Sequence, residues 1–221
     1  MVPGLLIFDC DGVVIDSEVI SARMLIAELE GHGVRIDLDF VARHFLGRSY
    51  PTVLAEVRRT FGIALPDRFE ADYRARLLDA FARGLAEMPG VRAVLAALDR
   101  PYCLATSSSP ERVARSLSLT DLGRFFEGRV FTASRVARGK PAPDLFLLAA
   151  AEMGADPADC LVIEDSLTGV RAGLAAGMEV WRFTGGSHLR GRTPGPDDSG
   201  AHRVFDDFAA FPALLAGRAA A

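Results

Sequence analysis

The chain has 221 residues, half of them apolar and 24% charged, with a formal net charge of −4. That length supports one sizeable core and a smaller second unit, and the lack of positive excess argues against nucleic-acid or membrane partners. Nowhere do about 18 apolar residues run together as a membrane span would need, and the apolar start is broken at Asp9, unlike a secretory leader. Cys10, Cys103 and Cys160 sit singly in apolar runs, which predicts buried free thiols in a reducing, cytoplasmic setting.

In chain order, the first predicted strand is Leu5 to Phe8, which closes on Asp9-Cys10-Asp11-Gly12. On an extended segment residues two apart share a side, so Asp9 and Asp11 face one pocket. Their mutual repulsion and desolvation are costly unless a cation or proton intervenes, and Gly12 frees the backbone to turn there. From about Ser17 to Arg83 the pattern is helical (Glu18 to Leu29, Tyr50 to Phe61, Arg68 to Phe81) with no convincing strand, which predicts an insertion after the first strand. His32, between two glycines, belongs to a helix-ending turn, and Met88-Pro89-Gly90 marks the return to the main unit.

The second strand, Tyr102 to Ala105, runs into Thr106-Ser107-Ser108, with Ser109 as N-cap and Pro110 as first residue of a helix. Hydroxyls and free N–H groups at such a junction suit a phosphate, Thr106 foremost. Arg129 to Phe131 is a weaker strand. In Gly139-Lys140-Pro141-Ala142-Pro143-Asp144, Pro141 keeps Lys140 out of a regular helix and stiffens the loop, so the ammonium is aimed. Leu161 to Ile163 repeats the acidic ending with Glu164-Asp165-Ser166. Gly169, Gly173 and Gly177 then make a smooth helix face for close approach to the sheet, Gly177 ending the helix. The last predicted strand is Val180 to Phe183, with Trp181 in the core. Thr184 to His188 reads as a solvated loop on the ligand side and Gly191 to Gly200 as a surface loop.

Short apolar runs alternating with helices predict an α/β fold, a Rossmann-like doubly wound parallel sheet formed by residues 1–16 and 84–221, with residues 17–83 as an inserted α-helical cap. Ligands of such sheets bind outside the carboxyl ends of the strands, so the polar clusters converge there. Paired carboxylates suit Mg²⁺, which also bridges to a substrate phosphate. Thr106, Lys140 and backbone N–H groups would meet phosphoryl oxygens. One carboxylate can attack phosphorus, while another handles protons.

The motifs FDCDGVVIDSE, ATSSS, GKPAPD and IEDSLTGVRAGLAAGM, in that order from Leu5 to about Phe183, resemble the haloacid dehalogenase superfamily, in its capped phosphatase and phosphomutase branch. The resemblance implies Asp9 as a nucleophile that becomes an aspartyl-phosphate, and Asp11 as general acid and base. It implies Mg²⁺ held by the Asp9 side chain, the Asp11 backbone carbonyl and Asp165, with Glu164 close by or acting through water. Thr106 and the Ser107 N–H would bind phosphate, and Lys140 would bridge nucleophile and phosphoryl group. The implied activity is Mg²⁺-dependent hydrolysis of a small phosphorylated metabolite, a sugar or sugar-acid phosphate as in the 6-phosphogluconate type, by a monomer or weak homo-oligomer.

The alternative is a β-phosphoglucomutase, which has an arginine where Tyr50 stands and a histidine where Ser21 stands; Arg48 would substitute from one position earlier. A non-catalytic phosphate-binding module is the third reading, and its mark would be loss of Asp9, Asp11 or Lys140. Arg48 and Tyr50 are the candidate substrate contacts of the cap.

Overall fold

The structure, a computed structural model, describes residues 3–45, 47–63, 65–190 and 199–217. Six strands, β1 (Leu5–Phe8), β2 (Tyr102–Thr106), β3 (Val130–Thr132), β4 (Cys160–Glu164), β5 (Glu179–Phe183) and β6 (Arg203–Phe205), form one sheet. Its order is β3-β2-β1-β4-β5-β6 and every neighbouring pair is parallel. The chain winds one way from β1 to β2 and β3, and the other way to β4, β5 and β6. The crevice between β1 and β4 is therefore the topological switch point.

Between β1 and β2 come α1 (Glu18–Glu30), α2 (Leu38–His44), α3 (Tyr50–Phe61), α4 (Phe69–Gly84) and α5 (Val91–Ala97); after β2 come α6 (Pro110–Leu119), α7 (Asp144–Glu152), α8 (Leu167–Ala175) and α9 (Phe211–Gly217). Strand side chains alternate between two cores. Leu6, Phe8, Leu104 and Ile163 pack with Val91, Leu117 and Phe211 from α5, α6 and α9. Leu5, Ile7, Cys103 and Val162 pack on the opposite face with Phe146 and Val170 from α7 and α8. Burial on both faces is why these strands read as unbroken apolar runs. All three cysteines are buried and free, and Trp181 is core, 1% exposed. Among the described residues no helix is long and apolar enough to cross a membrane.

Helices α1 to α4 have an apolar cluster of their own, built on Leu25, Leu29, Val57, Tyr73, Leu77 and Phe81. The two segments joining them to the sheet run side by side: the Asp16 N–H donates to the Ala86 carbonyl at 3.0 Å and the Met88 N–H to that of Val14 at 2.9 Å. His32 lies in the turn after α1, edge-on to Phe69.

Two elements depart from the sequence reading. Strand β6 was not expected, because only Phe205 of its three residues is buried and no apolar run announces it. Helix α2 is seven residues long, too short for a clear period, and is started by Asp37 accepting from the Phe40 N–H at 2.7 Å. Most of the loop predicted at Gly191 to Gly200, residues 191–198, lies outside the described residues.

Gly169 shows why α8 needs small residues: a Cβ there would overlap the Glu164 carboxylate. We expect Gly169→Ala to lower stability by about 1–3 kcal/mol in urea unfolding through this overpacking. Arg171→Ala on the exposed side of the same helix should stay within about 0.5 kcal/mol.

Candidate active site

Parallel register delivers the acidic groups to one place. Phe8 of β1 lies opposite Ile163 of β4, and the Asp9 N–H continues the ladder to the Ile163 carbonyl at 2.9 Å. Asp9 and the pair Glu164 and Asp165 thus emerge side by side. An oxygen from each of the three lies within 4.8 Å of the others, and all three residues are buried. Beyond Asp9 the chain folds tightly, with the Gly12 N–H donating to the Ile15 carbonyl at 2.8 Å. Gly12 has φ +83°, and a Cβ there would overlap Asp165 as well, so this turn admits no side chain.

Lys140 enters from the loop between β3 and α7. Its side chain is 1% exposed, and its ammonium donates to Asp9 Oδ1 at 2.7 Å, Glu164 Oε1 at 2.7 Å and the Ala105 carbonyl at 3.1 Å. The second Glu164 oxygen accepts from the Ser166 N–H and Oγ, both at 3.0 Å. Burial alone would lower the Lys140 pKa, but Asp9 and Glu164 outweigh it and hold the ammonium charged. Asp9 is pushed well above the ordinary carboxylate range by burial, with Lys140 opposing and Glu164, Asp165 and Asp11 adding to the rise. Asp165 is raised in the same way, by burial and then by Glu164. Surplus negative charge in so small and dry a space makes a donor set suited to a hard divalent cation. The residues present fit Mg²⁺ by that chemistry.

Asp11 is held differently. Its Oδ1 accepts from Ser17 Oγ at 2.5 Å and Arg112 Nη2 at 2.6 Å, and its Oδ2 accepts from Ser108 Oγ at 2.6 Å. Burial raises its pKa, but the Arg112 charge and the Ser108 and Ser17 hydroxyls outweigh that and keep the carboxyl below its usual value. Thr106 ends β2, 1% exposed, and its Oγ1 accepts from the Ser108 N–H at 3.0 Å. Ser107 Oγ donates to the Gly47 carbonyl at 3.2 Å, tying the β2 end to the loop before α3. Ser109 is the N-cap of α6, accepting from the Arg112 N–H.

A cavity of about 410 Å³ lies between the strand ends and helices α1, α3 and α4, and Asp9, Asp11, Arg48, Tyr50 and Thr106 all line it. Tyr50 stacks on Tyr73 with ring centroids 4.7 Å apart. The Tyr50 hydroxyl is buried and has no hydrogen-bond partner among the described residues.

Four further residues join the site that the sequence reading did not place there. Ser108 and Arg112 hold Asp11. Glu18, at the start of α1, lines the cavity, and burial, then Asp11 and Asp165, push its carboxyl up to about 8 against His188 and Arg112. His188, read from sequence as part of a solvated loop, is instead packed in: its side chain is 8% exposed and its Nε2 lies 2.9 Å from Asp165 Oδ2. Ser187 beside it donates from N–H and Oγ to Asp16 Oδ1 at 3.1 and 2.7 Å, folding the segment back onto the first motif. The Gly185-Gly186 pair before it was the available signal, since it lets the backbone approach this closely.

The family model for haloacid dehalogenase-like hydrolases matches residues 4–177. The chain belongs to this family. Its relatives include the 6-phosphogluconate phosphatase of Escherichia coli (strain K12), 30% identical over 183 residues that make up 82% of each chain. A conserved haloacid dehalogenase-like protein from Agrobacterium tumefaciens str. C58 has a solved structure with a TM-score of 0.82 and 32% identity, covering 98% of this chain and 99% of that one. A haloacid dehalogenase family hydrolase from Deinococcus radiodurans R1, solved with bound phosphate and sodium, is also 32% identical, with a TM-score of 0.74 over 98% of this chain and 96% of that one.

Glu18 supplies a pH test on the metal-free protein. A carboxyl whose pKa is near 8 when folded and about 4.5 when unfolded binds the extra proton in the folded state. Its contribution is complete below the unfolded value and is lost as pH rises through 8. We expect the Tm of EDTA-treated protein to fall between pH 6 and pH 9, and Glu18→Gln to flatten that fall. An equal slope in both proteins would exclude Glu18 as its source.

Proposed function

We propose that this chain is a cytoplasmic, Mg²⁺-dependent phosphatase that hydrolyses a small sugar or sugar-acid phosphate through an aspartyl-phosphate on Asp9. The observation that carries this is the convergence of Asp9, Lys140, Glu164, Asp165 and Thr106 at neighbouring strand ends beneath a helical cover. The named activity of the Escherichia coli relative and the phosphate in the Deinococcus radiodurans relative support it.

The side chains of Asp9 and Asp165 and the Asp11 carbonyl would hold Mg²⁺. Glu164 has both oxygens engaged by Lys140 and Ser166, so its part is to position the ammonium beside any ion. When bound, Mg²⁺ supplies positive charge that offsets both the clustered carboxylates and the phosphoryl oxygens. Thr106 and the Ser107 N–H bind the phosphoryl group, and Lys140 keeps Asp9 in line with it while neutralising charge.

An Asp9 oxygen attacks phosphorus and the ester P–O bond breaks. Asp11, which must leave Arg112 to take up a proton, gives that proton to the departing alkoxide. It then removes a proton from a water, whose oxygen attacks the aspartyl-phosphate, releases inorganic phosphate and restores the Asp9 carboxylate. The helices over the site exclude bulk water, and Arg48 and Tyr50 contact the leaving group.

Purified protein should release phosphate from p-nitrophenyl phosphate with Mg²⁺ and stop on addition of EDTA. Asp9→Asn should fold, by circular dichroism, and release no phosphate above background. Retained turnover in that variant, free of deamidation, would refute the nucleophile assignment. Conversion of β-glucose 1-phosphate to glucose 6-phosphate, in place of phosphate release, would establish the mutase. Tyr50→Phe should raise KM for sugar phosphates more than for p-nitrophenyl phosphate, in steady-state kinetics.

A further inference from the structure

Resting on the phosphatase reading above, we infer that Arg112 is the specificity residue of this site and receives a carboxylate on the leaving group, taking it in exchange for Asp11. Arg112 sits in the first turn of α6, directly after the Thr106–Ser109 segment, and lines the cavity with Asp9, Arg48 and Tyr50. Its side chain reaches from the sheet domain into the helical insert. The guanidinium lies over the Phe81 ring of α4, 5.2 Å from the centroid, and Nη2 donates to Ser21 Oγ of α1 at 3.0 Å. The same Nη2 makes the 2.6 Å ion pair with Asp11.

Two features give this pair more than a structural part. First, Asp11 is turned toward the protein here, its Oδ1 accepting from Ser17 and Arg112 and its Oδ2 from Ser108. Asp11 must leave Arg112 to act on the ester oxygen. Second, the guanidinium has spare donor capacity, since Nε is buried with no hydrogen-bond partner among the described residues. With Asp11 withdrawn, a cation only 22% exposed would lose its hydrogen-bonded carboxylate, with Phe81 and Ser21 against it and Glu18 as the remaining acidic group nearby, which is unfavourable.

A carboxylate at the far end of the leaving group removes that penalty, charge for charge, and matches the planar fork of donors. Of the other two guanidiniums that line the cavity, Arg74 is already committed to Glu70 at 2.6 Å, and Arg48 stands on the loop before α3. An uncharged polyol gives Arg112 nothing in exchange and leaves Asp11 bound to it. A phosphorylated sugar acid, by contrast, binds and frees the proton donor in the same event.

Two open-chain esters of equal length isolate the difference: 6-phosphogluconate ends in a carboxylate and sorbitol 6-phosphate ends in CH₂OH. A charged hydrogen-bonded pair is worth roughly 10- to 100-fold, so wild type should favour the acid by at least about tenfold in kcat/KM. Arg112→Gln should collapse that ratio toward one, with part of the loss in kcat because Asp11 release belongs to turnover. Arg112→Lys, with the charge but no fork, should fall between, and it decides the matter if the Gln variant does not fold.

A ratio near one in wild type, or a ratio that survives in both variants, would overturn the assignment while p-nitrophenyl phosphate hydrolysis continues. A preference for fructose 1,6-bisphosphate over the acid would overturn the carboxylate in favour of a second phosphate. If wild type hydrolyses none of these esters with Mg²⁺, the phosphatase reading fails and this inference falls with it.

Discussion

The Lys140 ammonium, enclosed between Asp9 and Glu164, sets the terms for everything around it. One positive charge faces two carboxylates at 2.7 Å, with Asp165 adjoining. An isolated buried charge of any of these kinds would be far too costly to keep. Three carboxyl groups set against one ammonium make a donor set that suits a divalent ion. The same accounting explains Glu164's second oxygen, occupied by Ser166 at the start of α8, and the absence of a side chain at Gly169. Sheet register, the Pro-rich loop and the small-residue face of α8 are separate sequence features that meet in holding one ammonium still.

The contacts between the sheet domain and the helical insert at the cavity are of another kind. The insert has its own apolar cluster, and among the described residues the side-chain hydrogen bonds beside the cavity that join the two units include Ser107 to Gly47, Arg112 to Ser21 and Ser17 to Asp11. Polar, modest interfaces of this sort open and close more readily than apolar ones. On the proposed reading, such an interface would let the helices admit a substrate and then exclude water from the strand ends.

Much of this is legible in the sequence, for physical reasons. Strands buried on both faces advertise themselves as apolar runs, and carboxylates closing such runs are conspicuous because burying them is expensive. That pattern points to Asp9, Asp11, Glu164 and Asp165, whereas Lys140 is pointed to by the Pro-rich loop that stiffens it. What stayed hidden depends on geometry with no local trace. Arg112 lies on an ordinary helix start, and its reach to Ser21 and Phe81 follows from how α6 meets α1 and α4. His188 needs a single turn after β5 to fold back onto Asp165. Strand β6 is an edge strand with one buried residue, and Glu18 looks like any acidic residue in a first helical turn.

The side-by-side pairing of residues 14–16 with residues 86–88 has an evolutionary corollary. Because the insert departs and returns through neighbouring hydrogen-bonded strands, the chain on either side is already stitched together there. Lengthening, trimming or swapping the intervening helices leaves that seam, and the sheet below it, where they are. On the proposed reading, a change in the insert would alter what the cavity admits while the strand-end carboxylates and Lys140 kept their places.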